Sequence, residues 1–174
     1  AKPLSGAVLQ LLDTAGTEID QWTTDGTTHR MDAILTAGAE YTLHEVSAPD
    51  GYCIAADQKF TVNADGSLTS VKLTNLSTKV QISKTTITGD TELEGAKLEV
   101  RDLSGNALDS WTSGKEAHMI TAKLTAGQTY VLHETAAPNG YVVSNDIEFT
   151  VNADGTVTKV IMKDDTTKVE ISKK

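Results

Sequence analysis

The sequence predicts an all-β chain of two Ig-like sandwich domains in tandem, and three observations carry that reading. The first is an ungapped internal repeat at an offset of 89 residues: Trp22 aligns with Trp111, Glu45 with Glu134, and Tyr52 with Tyr141. Phe60-Thr-Val-Asn-Ala-Asp-Gly66 likewise aligns with Phe149-Thr-Val-Asn-Ala-Asp-Gly155. A period this long is a domain repeat, not a solenoid repeat. The second is patterning. No segment holds a 3.6-residue apolar period for more than about three turns, while short alternating runs rich in Val, Ile and Thr recur. The third is punctuation, with Gly, Asn and Asp at turn-like positions between those runs. The expected boundaries are a first domain over 1–77 that lacks its first strand and a complete second domain over 78–167. Residues 168–174 are then the first strand of a following unit, or a donor strand.

Each unit reads as strands in order. Gly6 to Leu12, or Gly95 to Asp102, runs into a turn at Asp13-Thr-Ala-Gly16 or Leu103-Ser-Gly105. A strand bearing Trp22 or Trp111 follows, then a run from Met31 to Leu35 and a Thr-Ala-Gly turn. The next strand is Tyr41-Thr-Leu-His-Glu45, or Tyr130-Val-Leu-His-Glu134, and it enters a Pro-Asx-Gly turn closed by Tyr52 or Tyr141. Phe60 to Val62 is expected to pair with Leu68 to Leu73 as a hairpin across Asn63-Ala-Asp-Gly66.

Composition narrows the function. Apolar residues make up 39% and aromatics only 5%, so the core leans on Val, Ile, Leu and Ala. A formal net charge of −9 argues against nucleic acid or an anionic membrane as partner. No apolar run approaches the ~20 residues of a membrane span. Nothing after Ala1 reads as a signal peptide, so a mature fragment or an excised segment is expected. The single cysteine, Cys53, permits neither an intrachain disulfide nor a cysteine zinc site, and is expected to be a packed or half-exposed thiol. A secreted protein of small domains then needs another staple.

Strand parity suggests where that staple lies. Side chains alternate faces along a strand. Tyr130, Leu132 and Glu134 share a face; so do Val80, Ile82 and Lys84; so do Val160, Met162 and Asp164. In the first unit Glu45 and Asn75 fall in the same register with Leu43 and Leu73. A lysine, a glutamate and an Asp or Asn therefore point where apolar neighbours point, on three different strands. Desolvation lowers a lysine's pKa and raises a carboxyl's. A neutral amine is a nucleophile, a protonated glutamate can shuttle the proton, and fixed contact supplies a large effective molarity. The product would be a side-chain amide, releasing water from Asp164 or ammonia from Asn75. The same parity also fits a buried ion pair, or three residues that are simply exposed.

Gly-Ala-x-Leu early in the unit, Tyr-x-Leu-x-Glu-x-x-Ala-Pro-x-Gly-Tyr in the middle and Ile-Ser-Lys before the next unit resemble the collagen-adhesin B-type domain. That family is the prealbumin-like sandwich of Gram-positive pilins and surface adhesins, and the resemblance covers nearly the whole chain. It implies an isopeptide bond from a first-strand lysine to a last-strand Asp or Asn, assisted by a glutamate on an intermediate strand. Mapped onto this sequence, the lysine is Lys84, the glutamate Glu134 and the acceptor Asp164. Asp165 is the other candidate acceptor, but its parity is wrong.

The first unit departs from the pattern. Glu45 and Asn75 are present, yet the position matching Lys84 lies before Ala1, and Lys2 beside Pro3 is a poor substitute. Conversely, Thr167-Lys-Val-Glu-Ile-Ser-Lys173 repeats Thr78-Lys-Val-Gln-Ile-Ser-Lys84 with no domain after it. Either the sequence is a segment of a longer array, cut one strand out of phase, or its C-terminal strand completes the first domain of a second copy. In the latter case Lys173 bonds to that copy's Asn75. Seven extended residues span roughly 25 Å and a domain of about 80 residues is at least that size, so the strand does not reach its own first domain.

Other features read as structural. His29, His118, His44 and His133 are expected at the surface, with no spacing for a metal site and no cofactor implied. Trp22 and Trp111 are core residues that could also keep the lysine cluster dry. Asn63 and Asn152 are turn residues, since the calcium-loop ligand pattern is absent. The expected function is a stalk or spacer of an extracellular, cell-wall-attached adhesin or pilin whose anchor lies outside this segment. Its partners would be neighbouring repeats. Its only chemistry would be a single-turnover crosslink, which is not enzyme activity. The alternatives are a module binding a host matrix ligand, and a head-to-tail polymer through residues 168–174.

Overall fold

The computed structural model describes residues 2–31 and 34–173. The chain falls into two compact units, 1–77 and 78–174. The described residues form strands and turns and no helix, an all-β architecture of tandem sandwich domains. In unit 1, β1 (Ser5–Leu12), β2 (Glu18–Asp25), β3 (Glu40–Ser47) and β4 (Gln58–Thr61) make one antiparallel sheet in the order β2-β1-β3-β4.

Unit 2 builds the same sheet and a second one. Its strands are β5 (Lys79–Thr86), β6 (Lys97–Arg101), β7 (Ala107–Thr112), β8 (His118–Met119), β9 (Thr129–Ala136), β10 (Ile147–Thr150) and β11 (Val157–Asp164). One sheet runs β10-β9-β6-β7 and the other β11-β5-β8. The inward-facing residues of both sheets meet in one core that includes Ile82, Leu98, Val100, Leu132 and Met162. Alternation explains the faces: in β11 every second residue from Thr158 to Asp164 is buried and the residues between are exposed.

Turn chemistry sets the connections. Asp13 Oδ1 accepts from the Ala15 and Thr17 amides, each at 2.8 Å, and Asp102 repeats the device with Ser104 and Asn106 at 2.9 Å. The Pro138-Asn-Gly-Tyr141 turn is closed by the Tyr141 N–H donating to Pro138 O at 3.1 Å. Gly140 at its third position has φ +89°, the conformation a type II turn demands of that residue.

Three sequence expectations need correction. The Asn-Ala-Asp-Gly turn does not close a hairpin. β10 pairs with β9, while β11 pairs in parallel with β5, so the turn crosses from one sheet to the other. The asparagine and a threonine hydroxyl make the bonds that a hairpin ladder would have made. Asn152 N–H donates to Thr158 Oγ1 at 2.7 Å, and its Nδ2 donates to Thr156 Oγ1 at 2.9 Å. In unit 1 the partner expected for Phe60 to Val62, Leu68 to Leu73, carries no strand at all. Of the run from Met31 to Leu35, Asp32 and Ala33 lie outside the described residues and the rest is not strand.

The second difference has a physical reason. β11 is a strand because β5 runs beside it. In unit 1, residues 67–76 keep the alternation, with Val71, Leu73 and Asn75 half-buried between exposed neighbours, but no β5-like strand accompanies them among the described residues. A parallel strand without a ladder partner leaves its backbone groups to water.

Candidate functional site

Unit 2 brings Lys84, Glu134 and Asp164 together. β5 carries Lys84 beyond Val80 and Ile82, and β11 carries Asp164 beyond Val160 and Met162, all inward. β9, from the opposite sheet, supplies Glu134 on the same face as Tyr130 and Leu132. Lys84 and Glu134 are each 1% exposed and Asp164 is 0% exposed. Lys84 Nζ donates to Asp164 Oδ1 and lies 3.1 Å from Glu134 Oε1.

Two carboxyls and one amine buried this deeply cannot all hold charge cheaply. Burial pushes the Glu134 carboxyl up from its ordinary 4.5 and the Asp164 charge adds to this, against the Ser144 N–H and Lys84. Asp164 Oδ2 is buried with no hydrogen bond, while Glu134 Oε1 has the Lys84 ammonium beside it.

Ser144 is the site residue that strand parity did not reveal. It follows the Pro-Asn-Gly-Tyr turn, in a stretch with no strand and hence no period. Its N–H donates to Glu134 Oε2 at 2.7 Å. Its hydroxyl lies 2.6 Å from Asp164 Oδ1, 2.6 Å from Lys163 O and 3.5 Å from Lys84 Nζ. A signal for it existed in the repeat: the aligned residue is Ala55, and the aligned acceptor is Asn75 in place of Asp164.

Unit 1 holds two members of the same arrangement. Glu45 on β3 is 2% exposed. Its Oε2 accepts from Asn75 Nδ2 and from the Ala55 N–H, each at 2.6 Å. Asn75 Nδ2 also donates to Cys53 O at 2.9 Å. Among the described residues no lysine makes an ion pair with Glu45, and Lys2 is exposed. Residues 168–173 carry no strand, with Val169 84% and Ile171 89% exposed, and Lys173 is likewise exposed. Lys174 lies outside the described residues. Asp165 is engaged with Lys168 Nζ at 2.7 Å, outside the cluster.

The remaining sequence candidates take structural places. His44 pairs with Asp57 at 2.7 Å and His133 with Asp146 at 2.6 Å, on the face opposite the glutamates. The ring of His29 stacks on Trp22 and that of His118 on Trp111, with centroids 4.2 Å apart in both units. Trp111 also packs against the core of unit 2. No group of three metal-ligating side chains occurs among the described residues, and the Cys53 thiol is buried.

Comparison with known proteins places the chain in a family. The family model described as "SpaA: Prealbumin-like fold domain" matches residues 1–77 and again 78–166. Among solved structures, the chain is similar to the Bacillus anthracis TIE protein, at 24% identity and TM-score 0.53 over 95% of this chain and 31% of that one. It is similar to the C-terminal fragment of the pilus adhesin SpaC from Lactobacillus rhamnosus GG, at 16% identity and TM-score 0.51 over 96% and 91% of the two chains. The shaft pilin SpaA of the same organism aligns at 17% identity over 98% and 91%, with a TM-score of 0.45, too low to count as a shared fold on its own. No curated protein matches the chain. The chain spans about a third of the length of the TIE protein, and identities this low speak for the fold alone. With a family model covering nearly its whole length, the chain belongs to the SpaA prealbumin-like fold domain family, in two tandem copies.

Proposed function

We propose that the chain is a structural spacer of an extracellular pilin or adhesin, and that its second unit staples itself with a Lys84–Asp164 amide. The pilus adhesin SpaC fragment shares the fold, and its surface setting is the context carried to this chain. The observation that carries the reading is the burial of an amine and two carboxyls in mutual contact at the ends of the first and last strands of unit 2.

The step balances within the cluster. An ammonium and a carboxylate hold the same protons as an amine and a carboxylic acid, so Glu134, 3.1 Å from Nζ, creates the nucleophile without outside help by passing a first proton from Lys84 to Asp164 Oδ2. Nζ adds to Cγ of Asp164. Glu134 takes a proton from Nζ and gives one to Oδ2, which leaves as water while Oδ1 returns to a carbonyl. Glu134 is suited to this because burial favours its neutral form. The pocket pre-aligns the partners, and the reaction is intramolecular. Each molecule reacts once, so the protein acts as a structural element and not as an enzyme.

Intact-mass spectrometry tests the proposal. The wild type is expected about 18 Da light, one water lost, and Glu134→Ala is expected at full mass. A full-mass wild type would sink the claim.

A second reading concerns unit 1 and is favoured by the Asn75 Nδ2 to Glu45 Oε2 bond at 2.6 Å. The nitrogen that would leave as ammonia already faces the glutamate that would protonate it. A lysine strand beside residues 71–75 would complete the set, and residues 167–173 repeat the sequence of β5 and are exposed. A second copy can supply that strand by adding it to the open edge, with Lys173 forming an amide to Asn75. This makes the chain a head-to-tail polymer.

A further inference from the structure

We propose that the Ser144 hydroxyl is a catalytic group of the unit 2 crosslink, the donor that receives the oxyanion on Asp164; this rests on the amide reading above. The two oxygens of the Asp164 carboxyl are alike in chemistry and unlike in surroundings. Oδ1 lies 2.6 Å from Ser144 Oγ. Oδ2 is buried with no hydrogen bond. The held oxygen is the one to stay as the amide carbonyl, and the orphan is the one to leave as water.

The hydroxyl has one proton and two acceptors. Besides Oδ1 it faces Lys163 O, also at 2.6 Å. Before attack, that proton is divided between a backbone carbonyl and a carboxyl oxygen. When Nζ adds to Cγ, the electron pair of the C=O bond moves to Oδ1, which becomes the far stronger acceptor. The hydroxyl then turns fully to it. A bond that strengthens only in the transition state raises the rate, whereas one equally strong before and after does not. The donor is itself half-buried, and it faces side chains that are 1% exposed or less, on the side where such bonds are worth most. When Oδ2 departs with its two protons as water, the pair returns to Cγ–Oδ1 and the hydroxyl relaxes.

The backbone of residue 144 plays a separate part. Its N–H binds Glu134 Oε2 at 2.7 Å, and the aligned Ala55 N–H binds Glu45 Oε2 at 2.6 Å. Positioning of the glutamate therefore survives loss of the side chain, and unit 1 demonstrates that alanine fits the place. Only the hydroxyl is particular to unit 2.

The test follows the reaction by intact mass in protein translated cell-free and sampled over time. Ser144→Ala is expected to lose water about a hundredfold more slowly than wild type, the usual cost of one oxyanion donor. Ser144→Thr, which keeps the hydroxyl, is expected to recover most of that rate. Added to the non-reacting Glu134→Ala variant, Ser144→Ala is expected to lower Tm by about 4–8 °C, the cost of roughly one hydrogen bond, and the rate comparison is made well below that Tm, which separates chemistry from folding. Reaction of Ser144→Ala at the wild-type rate overturns the inference, as does a Thr variant no faster than Ala. A wild type that never loses water overturns the amide reading itself, and so tells the two failures apart.

Discussion

Lys84 and Asp164 stand on adjacent parallel strands two positions out of register: Lys84 lies opposite Met162, and Asp164 opposite Thr86. Two residues along a strand is roughly 6.6 Å, and the neighbouring strand is about 4.8 Å away. The four-carbon stem of lysine spans that diagonal, and no shorter cation does. The pairing joins positions 80 residues apart in sequence, so a bond there ties the beginning of unit 2 to its end.

The first prediction concerns stability. Closing a loop of this length is worth about 4–5 kcal/mol by the chain-entropy account of crosslinks. Lys84→Met, which keeps the stem and removes the amine, is expected to lower the unfolding free energy of unit 2 by about that much. Urea denaturation of wild type and variant measures it. Equal midpoints for the two would show that no covalent tie is present.

The second concerns pH. Glu134 is held above its ordinary 4.5, chiefly by burial. A carboxyl raised in the folded state binds protons more tightly there than in the unfolded chain. Its contribution is therefore complete below about 4.5 and is lost as pH rises through the folded value. Lys84→Met removes a cation that opposes the shift, so this unlinked variant is expected to lose stability from mildly acid to neutral pH. Denaturation midpoints at pH 5 and pH 8 give the sign. A midpoint that rises with pH contradicts it.

The third concerns unit 1. Denaturing gels of concentrated protein are expected to show bands at multiples of the monomer, each junction lighter by about 17 Da for the ammonia lost. Lys173→Ala and Asn75→Ala are each expected to abolish the ladder while leaving the mass loss of unit 2 intact. A ladder that persists in Lys173→Ala assigns the junction to another lysine.

The fourth concerns the turn that delivers Ser144. Gly140 has φ +89°, and a Cβ there would meet nothing within 4 Å. The penalty of Gly140→Ala is thus purely backbone, about 1–2 kcal/mol. Thermal unfolding of the non-reacting Glu134→Ala protein, with and without the change, isolates it. A neutral result means that the turn relaxes to another type.

Much of the site was legible because it is built from period-2 alternation. Val80 and Ile82 announce the face of Lys84; Leu132 announces that of Glu134; Met162 announces that of Asp164. Ser144 was not, because a residue in an irregular connection has no neighbours that report its direction. The Asn152-Ala-Asp-Gly155 turn misled for a related reason. The tetrapeptide specifies a reversal of the chain but not the strand that waits beyond it, and here β5, far earlier in the chain, takes β11 from β10.

The sequence by itself determined the all-β class, the tandem repeat and the inward faces of the strands, since each follows from local spacing or direct self-comparison. Only the tertiary structure decided which strands are neighbours. It set β11 beside β5, brought Glu134 over from the opposite sheet, and put the Ser144 hydroxyl on Asp164. Pairing is a long-range choice among edges that look alike along the chain, settled by which apolar faces can be buried together. The same choice leaves residues 67–76 of unit 1 with the right alternation and no strand to lie against.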